Sequence, residues 1–218
     1  DYFMMPGGDA AVDEPWRMAL SCLYSYVGDG YDFRSVKLFR TIEERKLDTV
    51  TAMLAQGINS PLTCGAGRVF DAVSALLMPC TRSSFDSEAP MRLESAICCT
   101  TEDYYPFTLN STVSLSEMFQ EILRDIKKPD IPLIAAKFHN TIAQIIVAVC
   151  IRIRRETGLK DVVLSGGVFQ NRYLLEKSLY LLSMNKFKVY TNQLVPANDG
   201  GISLGQLLAA AERRSVCA

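Results

Sequence analysis

The sequence is poor in histidine and has no paired-cysteine motif. Its 218 residues include one histidine, His139, and seven scattered cysteines with no CxxC spacing. A structural zinc site needs four Cys or His ligands, and a disulfide framework uses an even number of cysteines. Neither is therefore expected to organise this fold. We expect most of the thiols to be buried as small apolar side chains and Cys217 to lie in a frayed tail.

The sequence also lacks an excess of either charge. It contains 23 basic and 24 acidic residues, for a net charge of −1 and a pI near 5.9. Proteins that bind polyanions through charge alone concentrate basic residues on one face. Nothing here indicates such a face, so we expect no nucleic-acid partner.

Long apolar segments and targeting signals are missing as well. The longest apolar run, at 142–151, ends before Arg152 and is far shorter than the roughly 20 residues of a membrane span. The first eleven residues contain neither a basic region nor an apolar signal core. With 49% hydrophobic and 22% charged residues, the composition is that of a globular protein. We expect a cytoplasmic protein with no membrane contact.

The spacing of apolar residues is helical up to about residue 160 and then changes. Helices are predicted at 14–27, 67–77, 90–99, 116–128 and 131–158, and one or two more at 37–57. An antiparallel hairpin or edge strands are predicted around Pro106. Beyond residue 160 the order is strand, helix, strand, helix, which is typical of a parallel sheet with covering helices. The sequence therefore predicts an α/β lobe with a mixed sheet, in which Val162–Leu164 and Val189–Thr191 pair in parallel.

Each predicted strand after residue 160 leads into a glycine loop and a helix. The first loop contains Gly166 and Gly167 and ends at Asn171, which stands where an N-cap belongs. Glycines let the backbone approach a ligand, and the first amides of a helix suit a phosphate or ribose. The second loop contains Asp199. Its carboxylate either caps the following helix or binds a cation.

A third glycine loop lies near the N-terminus. Gly7 and Gly8 precede Asp9, whose carboxylate can accept hydrogen bonds from a ribose. A plain loop that ends with Asp13 as an N-cap is the alternative. Three glycine loops that each precede a helix indicate a nucleotide cleft. We therefore expect Gly7, Gly8 and Asp9 to converge with the loop at 166–171.

Three further side chains have simpler interpretations. We expect His139 to be packed within its helix, and not to act as a base. For Asp71 a solvated carboxylate, or one that interacts with the helix dipole, is slightly favoured over a ribose contact. Arg68 is expected to form a surface salt bridge, with phosphate binding as the alternative.

Six segments together resemble one protein family. They are MPGGDAAVDEPWRMAL, NSPLTCGAGRVFDAVSALL, SEAPMRLESA, FHNTIAQ, LSGGVFQN and NDGGISLGQ. In this order they are similar to the C-terminal part of the HypF family of hydrogenase-maturation carbamoyltransferases, over essentially the whole chain. The resemblance is more specific than any glycine pattern. It extends more distantly to antibiotic O-carbamoyltransferases and tRNA threonylcarbamoyl-transfer proteins.

The resemblance implies a lobe of the actin-like ATPase (ASKHA) superfamily fold with extra helices. It implies that carbamoyl phosphate and ATP give carbamoyl adenylate in another domain of a multidomain enzyme. The present domain would transfer the carbamoyl group to the C-terminal cysteine of a HypE-type acceptor, for the cyanide ligand of nickel-iron hydrogenase. The sequence has no nucleophile with a base beside it, so no catalytic residue is assigned.

The sequence departs from the family at the metal site. The family's metal, iron or zinc, is held by a His-x-x-x-His motif and an aspartate, and only the aspartate has a counterpart here, Asp199. We therefore expect residues 1–218 to be one lobe of a larger enzyme, inactive alone and with little or no metal affinity. A noncatalytic nucleotide-binding or partner-docking lobe, and a sugar- or acetate-kinase-like phosphotransferase, are the alternatives.

Overall fold

The structure, a computed structural model, describes residues 1–216. Cys217 lies outside the described residues. The chain divides into two compact units, Asp1–Ile145 and the part that begins at Ile146. Helices dominate both units, as the apolar spacing predicts.

The first unit is mainly helical. Its helices are α1 (Ala10–Asp13), α2 (Pro15–Tyr26), α3 (Lys37–Arg40), α4 (Glu44–Gln56), α5 (Ala66–Leu77), α6 (Glu88–Ser95), α7 (Ser116–Asp125) and the first part of α8 (Ile131–Thr157). Pro15 at the first position of α2 and Gly57 in the left-handed conformation after α4 mark helix ends that the sequence predicts. The alternative that Asp13 caps α2 is wrong, because Asp13 ends α1 and Glu14 precedes α2.

The core of the first unit forms where α2 packs against α5. Trp16 and Phe70 contribute fully buried aromatic side chains. The ring of Phe70 meets that of Phe138 edge to face, with centroids 4.8 Å apart. A large side chain of this kind contributes roughly 1.5–3 kcal/mol through burial. These residues hold α2, which follows the N-terminal glycine loop, against α5.

The second unit contains the predicted parallel strands. Strands β5 (Asp161–Leu164) and β6 (Lys188–Thr191) pair in parallel, with Val162 opposite Val189. Helix α9 (Arg172–Met184) connects them, and α10 (Ile202–Val216) follows. Leu164, Leu182 and Phe187 form the centre of a small core with Val147. The parallel pairing confirms the prediction from sequence.

The predicted mixed sheet does not form within the described residues. Their strands make three separate two-stranded sheets: β1 (Phe3–Met4) with β2 (Leu62–Thr63), β3 (Thr108–Leu109) with β4 (Val113–Ser114), and β5 with β6. The first two sheets are antiparallel and belong to the first unit. Their ladders are only two residues long, and the parallel pair lies in the other unit. The hairpin predicted around Pro106 is confirmed as β3 and β4.

The structure bears on two expectations from composition, the lack of a membrane-spanning segment and the burial of the thiols. By length and composition α8 could cross a membrane, with a mean hydropathy of 1.6, but 56% of its most apolar window is buried in the protein. This window is 18 residues long, whereas the uninterrupted apolar run at 142–151 is shorter. The expectation that most thiols are buried is wrong. Of the six described cysteines only Cys22 and Cys80 are buried, because Cys64 and Cys98 lie in exposed connections between helices and strands.

Candidate functional site

Two glycine loops meet at the carboxyl ends of β5 and β6. The backbone N–H of Gly166 donates a hydrogen bond to the carbonyl of Ala197, at 2.8 Å. A Cβ atom on Gly167 would lie 4.0 Å from Cβ of Asn198. The structure therefore brings Gly166 and Gly167 together with the loop that contains Asp199. In open α/β sheets, ligands bind beyond the carboxyl ends of the strands.

The backbone of the first loop requires glycine at one position. Gly166 has a φ of +104°, which L side chains rarely adopt, whereas Gly167 begins a short 3₁₀ turn with ordinary φ. Both residues are exposed. The side-chain oxygen of Asn171 accepts a hydrogen bond from the Leu174 N–H at 2.8 Å, which confirms Asn171 as the N-cap of α9.

The second loop is held by its own polar contacts. The side-chain oxygen of Asn198 accepts from the Gly200 N–H at 3.0 Å and caps the 3₁₀ turn Asp199–Gly201. A Cβ atom on Gly201 would approach the Pro196 carbonyl oxygen to 2.8 Å, so the loop leaves no space for a side chain there. The cap is Asn198, and Asp199 is the exposed residue after it. Asp199 is therefore available to a ligand.

The N-terminal glycine loop has a different geometry from the one that the sequence predicts. Gly7 and Gly8 have φ values of +94° and +57°, but their amides are already engaged. Gly7 donates to the carbonyl of Asn59 at 2.7 Å, and Gly8 donates to Met5 at 2.9 Å. The helix after the loop, α1, has only four residues. The exposed Asp9 is thus the group in this loop that is best placed to meet a ligand.

The predicted nucleotide residues belong to both units. Gly7, Gly8 and Asp9 lie in the first unit, while Gly166, Gly167 and Asn171 lie in the second. The structure establishes the local geometry of each loop. Convergence of all six residues on one cleft stays a prediction.

In the described part of the chain, Asp199 belongs to no group of three or more potential metal ligands. Within residues 1–216 no group of three His, Cys, Asp or Glu side chains is placed to hold a metal. A transition metal is normally held by at least three protein ligands. The donor set that this chain provides therefore does not fit the metal that the family resemblance implies.

Asp71 and Arg68 form a buried pair. Asp71 is 3% exposed, so the expectation of a solvated carboxylate is wrong, because α5 turns this residue into the interface with α2. Oδ2 of Asp71 lies 3.0 Å from Nη2 of Arg68, close enough for an ion pair but not aligned for a hydrogen bond. Burial raises the pKa of Asp71 to about 6, although the Arg68 charge opposes this rise. Arg68 does form a salt bridge, as expected, but with a partner beneath the surface.

His139 is packed in the core, which confirms the sequence-based interpretation. Its side chain is fully buried, and Nδ1 lies 2.7 Å from the Ala135 carbonyl oxygen one turn earlier in α8. Burial lowers the pKa of His139 to about 4, although the bond to the Ala135 carbonyl opposes this change. The imidazole is therefore neutral at physiological pH.

The two residues after His139 attach a loop to α8. Nδ2 of Asn140 donates to the carbonyls of Thr101 and Asp103, each at 2.9 Å. Oγ1 of Thr141 accepts from the Tyr105 N–H at 2.7 Å. The FHNT segment thus attaches the loop 101–105 to α8.

A charged network beside the N-terminal loop was not predicted from the sequence. Glu14 accepts from Nε of Arg17 at 2.5 Å and from Nζ of Lys46 at 2.6 Å, and Arg17 also donates to the Pro6 carbonyl. Burial alone would raise the pKa of Glu14, but the bonds from Lys46 and Arg17 outweigh it and lower the pKa. The i,i+3 spacing of Glu14 and Arg17 was a signal in the sequence, whereas the contribution of Lys46 was not.

A family model agrees with the resemblance seen in the sequence. The model is described as "Carbamoyltransferase, Kae1-like Domain, second subdomain", and it matches residues 1–206. The chain is 31% identical to the carbamoyltransferase HypF of Synechocystis sp., over 97% of this chain and 29% of that protein. It is 36% identical to the HypF of Rhodobacter capsulatus, over 95% of this chain and 27% of that protein.

Solved structures give the same result. A crystal structure of full-length HypF in the phosphate- and nucleotide-bound form superposes with a TM-score of 0.86 at 34% identity, over 97% of this chain and 28% of that one. The HypF of T. kodakarensis superposes with a TM-score of 0.84 at 28% identity, over 96% and 29%. The chain spans less than a third of the length of these relatives.

Proposed function

Since this chain belongs to the HypF family of carbamoyltransferases, as its Kae1-like second subdomain, we propose that it contributes one lobe of the carbamoyl-transfer site of a larger multidomain enzyme. Residues 1–218 would form the C-terminal lobe of an actin-like ATPase (ASKHA) fold. The observation that carries this proposal is the contact between the loops of Gly166 and Asp199 at the carboxyl ends of two parallel strands. We place the enzyme in the cytoplasm.

The proposed reaction is a transfer from carbamoyl adenylate, which carbamoyl phosphate and ATP form in a separate domain. The thiolate of a C-terminal cysteine on a HypE-type acceptor attacks the carbamoyl carbon. A carbon–sulfur bond forms, the bond between that carbon and the adenylate oxygen breaks, and AMP leaves. The product is the precursor of the cyanide ligand of nickel-iron hydrogenase. Adenylation is needed because a carbamoyl group without a good leaving group is a poor electrophile.

Two thiols of this chain, Cys22 and Cys150, are poor candidates for the nucleophile. Burial, followed by the charge of Asp71, raises the pKa of Cys22 well above its ordinary value. Burial also raises the pKa of Cys150. Since the thiolate is the nucleophilic form, neither residue suits acyl transfer.

The glycine loop of the second unit is proposed to bind the adenylate. Gly166 and Gly167 are exposed and have no side chain, so the backbone can approach a phosphate or ribose. Asn171, whose side-chain oxygen caps α9, is proposed to lie at the same site. Gly7, Gly8 and Asp9 are proposed to complete the same cleft, with Asp9 accepting from the ribose. Convergence of the six residues is part of the proposal.

Asp199 is proposed as this lobe's single ligand to a divalent metal, iron or zinc. The remaining ligands would come from parts of the enzyme outside this chain. When bound, a metal polarises a carbonyl as charge develops on its oxygen. This chain would contribute only the position of one carboxylate.

Substitution of Asp199 in the full-length enzyme tests the proposal. Asp199→Ala should lower carbamoyl transfer to an acceptor peptide by at least about 100-fold, a loss typical of removing a charge-stabilising group, and should leave adenylate formation unchanged. Transfer is measured by mass spectrometry of the peptide, and adenylate formation by ATP–pyrophosphate exchange. Asp161→Ala removes an exposed carboxylate from the opposite end of β5 and should leave both rates unchanged. A fully active Asp199→Ala enzyme would show that the metal ligand is misplaced.

A further inference from the structure

A cavity in the first unit has an apolar floor and a basic rim. Its volume is about 470 Å³, within the range of small-molecule sites. It lies between α3, the carboxyl ends of α5 and α7, and the start of α8. None of the predicted nucleotide residues lines it, so the proposed function does not account for it.

The floor is formed by buried aliphatic side chains. Val36, Leu76, Leu77 and Leu123 line the cavity, and each is less than 10% exposed. An apolar chain placed on this floor would leave water, and each CH₂ group that is buried there favours binding. The floor alone would accept any apolar molecule, so selectivity must come from the rim.

The rim has three cations and no carboxylate. Lys37, Arg40 and Lys127 are exposed residues that line the cavity. Nε and Nη2 of Arg40 donate to the carbonyls of Arg34 and Ser35, at 2.9 and 3.1 Å, which holds the guanidinium in place without neutralising it. Neither lysine forms an ion pair with any residue that the structure describes.

The nearby carboxylates are engaged elsewhere. Asp32 accepts from the Arg34 N–H at 3.1 Å, and Asp130 accepts from the Leu133 N–H at 3.2 Å. Asp125 pairs with Lys137 at 3.0 Å and accepts from the hydroxyl of Tyr105 at 2.7 Å. Among the described residues, none of these three acids forms an ion pair with Lys37, Arg40 or Lys127.

We propose that this cavity binds a small amphipathic carboxylate, with its apolar chain on the aliphatic floor and its carboxylate between Lys37 and Lys127. An anion at the rim gains charge-assisted hydrogen bonds from two ammonium groups and the field of Arg40. A cation of the same shape meets three like charges. An anion that lacks an apolar chain gains nothing from burial against the aliphatic floor. Recognition thus requires both parts of the ligand.

Calorimetric titration of the full-length protein with octanoate tests this inference. Octanoate should bind, while acetate and octylammonium should each bind at least about tenfold more weakly. The double variant Lys37→Gln/Lys127→Gln should weaken octanoate binding by about tenfold. The control Lys128→Gln/Lys160→Gln makes the same change of charge at two exposed lysines outside the cavity and should keep the wild-type affinity.

All four lysines are exposed, so both double variants should keep the melting temperature of the parent protein. The inference is overturned if octanoate does not bind, if octylammonium binds as tightly as octanoate, or if the cavity variant retains wild-type affinity. Carbamoyl transfer is not a readout in these experiments. The result is therefore independent of the proposed function.

Discussion

At the scale of single residues, two neighbouring glycines have different physical requirements. Gly166 is required by its own backbone, because its φ of +104° is unfavourable for any residue with a Cβ atom. Gly167 has no such restriction, and a Cβ atom there meets only an ordinary contact at 4.0 Å. If Gly167 matters, the reason is the space that it leaves for a ligand.

This difference provides a matched pair of substitutions. Gly167→Val in the full-length enzyme should weaken adenylate binding by about tenfold or more through steric exclusion while lowering stability little. Gly166→Val should cost about 1–2 kcal/mol of stability through backbone strain. Equilibrium binding of a non-hydrolysable adenylate analogue and urea unfolding measure the two effects. Unchanged affinity in Gly167→Val would argue against a ligand at this loop.

Two buried titratable residues should change stability with pH in opposite directions. The pKa of Asp71 is raised to about 6 in the folded chain, so its contribution to stability is present below pH 4 and is lost as pH rises to about 6. The pKa of His139 is lowered to about 4, so its contribution is present above about pH 6.5 and is lost as pH falls to about 4. For each of the two residues, the pKa change corresponds to about 3 kcal/mol of unfolding free energy.

Single substitutions should separate these two contributions. Relative to the parent chain, Asp71→Asn should become progressively more stable as pH rises from 4 to 6. Over the same interval His139→Gln should become progressively less stable, because the parent regains the contribution of His139. Urea unfolding at half-unit pH steps measures both differences. Parallel pH profiles for the parent and either variant would show that the residue concerned does not titrate as described.

At the scale of elements, α8 determines where an irregular segment lies. Asn140 and Thr141 on one side of the helix make three hydrogen bonds to the backbone of the loop 101–105. Buried backbone groups that lose their partners cost about 1–3 kcal/mol each. The sequence predicts α8 only as an amphipathic helix. In the structure its polar residues also fix the position of the loop 101–105.

Removal of the Asn140 amide should release this loop. Asn140→Ala removes two hydrogen bonds, one to the half-buried Thr101 and one to the exposed Asp103, and should lower stability by about 1–3 kcal/mol. It should also increase hydrogen exchange at the Tyr105 amide. Gln144→Ala, one turn later in the same helix, should change neither quantity by more than about 0.5 kcal/mol, as at sites without such contacts. Equal effects of the two substitutions would contradict the attachment.

At the scale of the whole molecule, the proposed metal site requires more ligands than this chain provides. Asp199 is the one matched ligand, and the described residues contain no group of three metal-binding side chains. The isolated 218-residue chain should therefore transfer no carbamoyl group to a cysteine peptide, even with carbamoyl phosphate, ATP and iron or zinc. Mass spectrometry of the peptide measures this, with the full-length enzyme as the positive control. Robust turnover by the isolated chain would contradict the ligand count.

The sequence alone was sufficient for the family, for most helices and for the parallel pairing of β5 and β6. Helix ends are encoded locally by residues such as Pro15, Gly57 and Asn171, and the six characteristic segments are long enough to be specific. Sheet composition was not predictable, because strand pairing depends on contacts between residues far apart in sequence. The expected mixed sheet was accordingly replaced by three small ones.

Burial and the pairing of hydrogen-bonding groups were decided only by the tertiary structure. The sequence identifies Gly7 and Gly8 as a flexible loop, but only the fold shows that their amides bind Asn59 and Met5. It places Asp71 on a helix, but the packing of α5 on α2 buries that carboxylate and raises its pKa. Local conformation depends on neighbours in sequence, whereas solvation and polar pairing depend on neighbours in space. The sequence by itself therefore determined the family and the positions of the loops, and the fold decided which of their groups can meet a ligand.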